Sequence, residues 1–477
     1  MKIRIIYRSI ACICVVLVLS ECNIPRITTR SENKSVPADY GELQDSTNTA
    51  NIKWQDFFTD PNLVKLIDSG LIRNQELMIN LQEVEIAKND ILFRQGPLRP
   101  IVNARIGGGV EKVGRYTSQG AGDATTEIYP GKEMPDPLTD ITAAVYANWE
   151  VDIWKKLRNS KKAAVTRYFS TVEGRNFVLT NLIAEIANSY YELLALDNQL
   201  EIVKQNIELQ KNALEIIKVQ KEATRVTELA VKKFEAEVLK TQSLEFDILQ
   251  QIKQTENRIN FLLGRYPQEI PRDKSNFFGL LPAVVNSGIP SQLLANRPDI
   301  KQAELELVAA KLDVKVARAE FYPSLGISAG IGFQGFKPSY LFRTPESLLY
   351  NLAGDLTAPL INRNAIKAEF NNANARQLQA MYNYERTILN AYLEVSTQLS
   401  NISNLEKGYN LKSKQVDALT RSIAISNDLF TSARADYLEV LMTQRDALES
   451  KLELIETKKH QMNAMVNIYQ ALGGGWR

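Results

Sequence analysis

The chain has 477 residues, and its 57 Lys and Arg nearly balance its 55 Asp and Glu. Because no strong basic excess is present, we expect no nucleic-acid partner. All three cysteines, Cys12, Cys14 and Cys22, lie in the first 22 residues, which excludes a disulfide framework in the remainder of the chain.

The amino terminus is typical of an export signal. Lys2, Arg4 and Arg8 precede an unbroken apolar run over 10–19, which is too short to cross a bilayer as a helix. We therefore predict a signal peptide over 1–21. Residues 22–50, rich in Ser, Thr, Asn and Pro, are predicted to form an extended tether.

Leu19-Ser20-Glu21-Cys22 resembles a bacterial lipoprotein box. That resemblance implies that Cys22 is acylated and becomes the first residue of the exported chain, anchored in outer-membrane lipid. The alternative is a plain signal peptide followed by an unmodified cysteine.

Four segments alternate apolar and polar residues with a period of two, which predicts strands with one apolar and one polar face. They lie at about 101–110, 143–153, 324–333 and 351–360. Each has about the ten residues that a tilted strand needs to cross an outer membrane. A soluble sandwich would alternate in the same way. Four strands cannot close a barrel in lipid, however, so a membrane barrel would need several chains.

The helical segments are unusually long. No proline interrupts 156–222, and Ile186, Leu193, Leu200, Ile207 and Leu214 recur every seven residues, partnered by Leu196, Val203 and Ile217. Such a repeat predicts coiled-coil packing against neighbouring helices. At ~1.5 Å per residue, about 65 residues would extend on the order of 100 Å.

The chain contains an internal repeat. Pro100 corresponds to Pro323 and Leu229 to Leu438, so the separation falls from 223 to 209 residues between these pairs. We place the extra residues of the first copy around 111–140. The predicted division is a first repeat over 51–270, a connecting segment over 271–290 and a second repeat over 291–477.

Several stretches resemble the outer-membrane efflux proteins of the TolC type, most closely the lipid-anchored branch that serves resistance-nodulation-division (RND) pumps. They lie at 54–63, 149–154, 289–300, 317–323, 436–438 and 472–476, and include Arg297-Pro298-Asp299 and the ending Leu472-Gly473-Gly474-Gly475-Trp476. The resemblance implies an α+β membrane protein. It implies a homotrimer whose subunits each give four strands to one twelve-stranded outer-membrane β-barrel, continued by a long helical barrel in the periplasm.

The same resemblance implies a periplasmic adaptor (membrane-fusion) protein and an inner-membrane RND transporter as partners. The helical turns at 223–227 and 432–436 would form the periplasmic tips, with Thr224, Val226, Ala433 and Asp436 as adaptor-docking residues. At the gate, Glu439 would form an acidic ring, Leu438 and Met442 an apolar constriction, and Arg434 or Arg225 would hold the ring shut. The alternative is that Glu439 lies on a solvated helix face.

Enzymatic interpretations have little support. Gly330-Ile331-Gly332-Phe333-Gln334-Gly335 fits a dinucleotide-binding pattern but leads into Phe336-Lys337-Pro338 rather than into a phosphate-binding helix. The single histidine, His460, lies between Lys459 and Gln461 in a helical segment. We expect no catalytic residue, cofactor or metal site.

The sequence therefore predicts a passive outer-membrane exit duct of a tripartite RND efflux system. The alternatives are the duct of a type I protein-secretion system and a structural coiled-coil envelope lipoprotein. The alternating strands argue against the structural lipoprotein, because a purely structural coiled coil needs no amphipathic barrel. The exported compound is not specified by these residues.

Overall fold

The computed structural model describes residues 27, 30–40, 47–274, 277–280, 286–359, 361, 363–432 and 434–476. The predicted signal peptide, the predicted lipidation site Cys22 and the predicted docking residue Ala433 lie outside the described residues.

Helices form most of the described chain, and strands interrupt them twice. The helices are α1 (Trp54–Phe57), α2 (Pro61–Arg73), α3 (Gln75–Gln95), α4 (Ser118–Asp123), α5 (Lys156–Glu222), α6 (Glu228–Leu262), α7 (Leu293–Asn296), α8 (Pro298–Ala319), α9 (Asn364–Thr431) and α10 (Tyr437–Ala471). The strands are β1 (Ile101–Glu111), β2 (Glu127–Tyr129), β3 (Lys132–Glu133), β4 (Leu138–Val151), β5 (Ser324–Gly335) and β6 (Leu348–Thr357).

The chain divides into two compact units. The first comprises 85–169 and 305–382 with the described residues up to Ser31, and the second comprises 32–84, 170–304 and 383–477. None of the helices in the described part of the chain combines the length and the apolar character that a membrane-crossing helix needs.

The first unit contains an antiparallel four-stranded sheet in the order β1-β4-β5-β6. Directly opposed residues share a face, so the register assigns every side chain to one side. The apolar face carries Val102, Ala104 and Ile106; Ala143, Val145, Ala147, Trp149 and Val151; Leu325, Ile327, Ala329, Ile331 and Phe333; and Leu348, Tyr350, Leu352 and Leu356. The other face is mainly polar or small, with Asn103, Arg105, Tyr146, Asn148, Ser328, Gly330, Asn351 and Asp355, and it also carries Ile101, Leu138 and Leu349.

Two strands differ from the sequence prediction at both of their ends. The strand predicted at 143–153 runs from Leu138 to Val151. It ends there because Asp152 accepts hydrogen bonds from the backbone N–H groups of Leu157 and Arg158, at 3.0 and 2.9 Å, at the start of α5. The strand predicted at 351–360 runs from Leu348 to Thr357, and Pro359, which has no N–H to donate to a ladder, follows its end.

The two strand connections differ in length. The segment between β1 and β4 covers 112–137, or 26 residues, and the segment between β5 and β6 covers 336–347, or 12 residues. The longer one contains α4 and the hairpin β2–β3, where the sequence predicted only a loop.

The second unit is built around α5, α6 and α10. Its main apolar core includes Ile186, Leu193, Val203 and Ile207 of the seven-residue repeat, together with Leu448, Ile455 and Met462 of α10. Burial of these positions follows the coiled-coil pattern of the sequence. Pro298 is the first residue of α8, as expected for a residue without an N–H group.

The predicted tether has a different carboxyl end in the structure. Asn48, Thr49 and Ala50 are buried rather than extended in solvent. The N–H of Thr49 donates to the carbonyl of Asn286 at 3.0 Å, and Asn48 Oδ1 accepts from the N–H of Ala50 at 2.8 Å. Their backbone groups have partners here, so the packed part of the second unit begins before Trp54.

Candidate functional site

The predicted site residues lie at the two turns that join the long helices in the second unit. One turn connects α5 to α6, and the other connects α9 to α10. Arg225 and Arg434, at corresponding places in these turns, are 209 residues apart in sequence.

The first turn ends α5 in a Schellman motif. Thr224 has a φ of +54°, and its N–H donates to the carbonyl of Lys221 at 2.8 Å. The N–H of Arg225 donates to the carbonyl of Gln220 at 2.9 Å. Because a β-branched residue rarely adopts positive φ, the backbone at Thr224 is strained.

The second turn has the matching backbone bond. The N–H of Arg434 donates to the carbonyl of Leu429 at 2.8 Å. Asp436 then caps α10, its Oδ1 accepting from the N–H of Tyr437 at 2.7 Å. A capping carboxylate is favourable at the positive end of the helix dipole.

An apolar cluster, which we call the tip cluster, joins the two turns. Its buried members are Leu214, Ile217, Ala230, Val231, Phe234 and Val238, and the partly buried Val226, Phe430, Tyr437 and Leu441 pack against them. Of the predicted docking residues, Val226 therefore contributes to packing, whereas Thr224 and Asp436 are exposed.

Three of the predicted gate residues, Leu438, Glu439 and Met442, lie at exposed positions in the first two turns of α10. Leu438 and Met442 are 38% and 43% exposed, one helical turn apart, with Glu439 exposed beside them. Val440 is buried on the opposite side. The structure thus brings Leu438, Glu439 and Met442 together on one surface.

The structure does not bring the two arginines to Glu439. Arg225 and Arg434 are exposed, and the ion pairs found near the turns among the described residues, such as Lys221 with Glu228, do not include Glu439. Within one chain, the predicted arginine lock on Glu439 is therefore absent from the described contacts.

The pair Lys221–Glu228 was not predicted from the sequence. It joins the end of α5 to the start of α6, and the hydrogen bond and positive charge of Lys221 lower the pKa of Glu228. The signal was present, since a basic residue ends one helix and an acidic residue begins the next.

Three buried polar side chains beyond the tips were also not predicted from the sequence. Gln210, Thr241 and Gln444 are buried at core positions of α5, α6 and α10. Both amide atoms of Gln210 and Oε1 of Gln444 have no hydrogen-bond partner among the described residues. The sequence signal is a polar residue in an apolar heptad series, because position 210 lies seven residues from both Val203 and Ile217.

The sequence matches the family model of the outer membrane efflux protein over 66–265 and 289–474. It is 28% identical over 426 residues to the pyoverdine export outer membrane protein OpmQ of Pseudomonas aeruginosa, covering 89% of this chain and 88% of OpmQ. It is 27% identical over 456 residues to the probable outer membrane lipoprotein SilC of Salmonella typhimurium, covering 95% of this chain and 93% of SilC.

Solved structures agree on the fold. A structure of CusC matches with a TM-score of 0.82 and 23% identity, covering 94% of this chain and 99% of that one. The open state of the Neisseria gonorrhoeae MtrE outer membrane channel matches with a TM-score of 0.80 and 21% identity, covering 95% and 98%. The resemblance found in the sequence is confirmed, and the chain belongs to the outer membrane efflux protein family.

Proposed function

We propose that three copies of this chain form a twelve-stranded barrel and act as the passive exit duct of a tripartite RND efflux system. The observation that carries this proposal is the four-stranded sheet with one apolar face and two unpaired edges.

The edges argue for assembly. In the described sheet, β1 pairs with β4 and β6 pairs with β5, which leaves the outer edge of each without a neighbouring strand. In hydrocarbon, each unsatisfied backbone group costs several kcal/mol, so only a closed barrel is stable there. Pairing β6 of one copy with β1 of the next satisfies both edges, and three copies supply the twelve strands of the proposal.

The apolar face argues for lipid. Ile106 and Leu352 are 87% and 79% exposed in the single chain, far more than a soluble face of this kind would leave in water. Trp149 is on the same face near the end of β4, where tryptophan favours a membrane interface. The polar face would then line the water-filled lumen.

The helical tips would provide the gate and the docking surface. Around a threefold axis, three copies of Glu439 would form an acidic ring that attracts cations, with Leu438 and Met442 beside it. The exposed Thr224 and Asp436 would be available to a periplasmic adaptor. The arginine lock by Arg434 or Arg225 would have to form between subunits.

Relatives indicate how little the duct restricts its cargo. The names of homologues include a pyoverdine export protein, a cation efflux system protein and a toluene efflux pump protein. Since these cargoes have little chemistry in common, we infer that an inner-membrane RND transporter, joined through the adaptor, selects the compound.

Planar-bilayer recording of the purified full-length protein tests the function. We expect discrete, ion-conducting events, because an open lumen passes hydrated ions. Folded protein that inserts into the bilayer without conducting would contradict the proposal.

We further propose that Cys22 is acylated, in keeping with the lipoprotein box at 19–22. Cells grown with labelled palmitate should label the parent chain but not Cys22→Ala. Equal labelling of both would contradict a lipid anchor at this residue.

A further inference from the structure

One row of the sheet places a tyrosine beside a glycine on the polar face. Tyr146 of β4 lies directly opposite Gly330 of β5, and Gly330 lies opposite Asn351 of β6. On the other side of Tyr146 is Asn103 of β1. All four residues point to the polar side.

The tyrosine ring occupies the space where Gly330 lacks a side chain. A Cβ added to Gly330 would lie 2.8 Å from Cδ1 and 3.0 Å from Cε1 of Tyr146, and it would also collide with Oδ1 of Asn351. Tyr146 is only half-buried. Its ring therefore leans across β5 over Gly330 instead of standing away from the sheet.

Tyr146 has no aromatic neighbour on this face. The remaining polar-face positions of the four strands hold glycine, alanine, leucine, isoleucine and non-aromatic polar residues. The aromatic ring on this face thus lies opposite a residue without a side chain. Because Gly330 leaves this space open, the ring packs against the sheet.

We propose that Gly330 recesses Tyr146 into the wall of the barrel and that this recess keeps the lumen open at the level of Tyr146. The inference rests on the proposed function, because it takes the polar face as the lumen wall. Gly330 is then the residue that keeps this level of the barrel passable, and Tyr146 is the ring that would otherwise obstruct it.

In a barrel of twelve strands, one aromatic ring per subunit is large enough to affect the open width of the lumen. Barrels of eight strands are filled by side chains, whereas those of sixteen to eighteen leave an aqueous channel. A twelve-stranded barrel lies between these limits. Three phenol rings raised from its wall would therefore reduce single-channel conductance roughly twofold, since they meet at one level of a narrow bore.

The test compares single-channel conductance of four variants in planar bilayers. Gly330→Thr displaces the ring and should lower conductance. Tyr146→Ala should leave conductance near the parent value, because a recessed ring does not narrow the lumen. The double variant Gly330→Thr, Tyr146→Ala should recover the parent value. Gly109→Thr is the matched control. Gly109 lies on the same face as Gly330, and a Cβ at Gly109 would meet no atom within 4 Å.

The outcomes separate this inference from the function on which it rests. A silent parent channel would overturn both. A conducting parent with unchanged conductance in Gly330→Thr, or with clearly raised conductance in Tyr146→Ala, would overturn the recess alone. If Gly330→Thr fails to assemble, Tyr146→Ala still decides: the parent value supports the recess, and a raised value overturns it.

Discussion

The two long helical hairpins, α5–α6 and α9–α10, bury basic side chains at different places along their helices. In the first, Arg272 from the connecting segment is buried between two carboxylates. It bonds Asp197 of α5 through Nε and Nη2, and its Nη1 donates to Glu256 of α6 at 2.9 Å. Lys274 adds a contact to Asp197 at 3.2 Å. The connecting segment therefore ties both helices of this hairpin together.

The second hairpin buries a charge in a different setting. Lys458 of α10 is 3% exposed, and its Nζ lies 5.7 Å from the centre of the Tyr409 ring of α9. Burial lowers the pKa of Lys458. Glu406, which corresponds in the repeat to Asp197, is exposed. The two helices of this hairpin are also joined by a buried arginine, because Nη1 of Arg297 donates to Glu394 of α9 at 2.7 Å and to the carbonyl of Ala471 of α10 at 2.9 Å.

The hairpins therefore differ in where a buried arginine joins their helices. A buried ion pair with several hydrogen bonds resists the loss of either partner. Asp197 lies 25 residues before the end of α5, whereas Glu394 lies 37 residues before the end of α9. The second hairpin, which carries Glu439, thus has the longer stretch between its buried arginine and its tip.

The largest effect is expected from removing a carboxylate that contacts Arg272. Asp197→Ala leaves Arg272 buried with one carboxylate, and loss of a buried partner costs about 3–5 kcal/mol. The matched variant Glu406→Ala removes an exposed carboxylate and should change stability by less than about 0.5 kcal/mol. Denaturant unfolding of each variant measures both. Equal losses in the two variants would remove the distinction between the hairpins.

The tips offer the second comparison. Glu228 forms an ion pair with Lys221, whereas Glu439 has no ion pair in the described structure of the single chain. Glu439→Gln should therefore reduce cation selectivity and divalent-ion block in planar bilayers, and Glu228→Gln should leave both unchanged. Unaltered selectivity in Glu439→Gln would place this carboxylate on an ordinary solvated helix face.

Much of the fold could be predicted because its signals are local. The period of two identifies β1, β4, β5 and β6, and the unbroken segment 156–222 coincides with α5. The hairpin β2–β3 within 112–137 has only three and two residues per strand. Strands that short contain no alternation from which they could be recognised.

The site was less predictable because its contacts depend on three-dimensional geometry. The heptad positions show that α5 packs on a neighbour but not which residues face Gln210. The pair Lys221–Glu228 depends on the geometry of one turn, and the contact of Tyr146 with Gly330 depends on strand register across 184 positions. Chain pattern alone does not give these distances.

The third, smaller effect is expected from replacing the buried amide of Gln210. Gln210 is 1% exposed with both amide atoms unpaired in the described structure, and an unsatisfied buried group costs about 1–3 kcal/mol. Gln210→Leu should raise the unfolding midpoint in denaturant. Gln205→Leu, at an exposed position of the same helix, should not. A lower midpoint in Gln210→Leu would show that the amide is satisfied in the folded protein.

The smallest effect is expected at the strained turn. Thr224 holds a left-handed conformation that glycine adopts without the steric penalty, so Thr224→Gly should stabilise by about 1 kcal/mol. Thr227, with an extended backbone at φ −89°, provides the control, because glycine there gains nothing from a change in sterics. Thermal unfolding of both variants measures the difference. A destabilised Thr224→Gly would show that the hydrogen bond from Thr224 Oγ1 to the carbonyl of Ala223, at 2.7 Å, outweighs the backbone strain.

Closure of the barrel by three copies is the central claim, and the mass of the assembled protein tests it most directly. Light scattering in mild detergent, corrected for bound detergent, should give the mass of three chains, because β1 and β6 each present an edge that another copy must pair. A single chain that keeps its full strand content by circular dichroism would contradict the account.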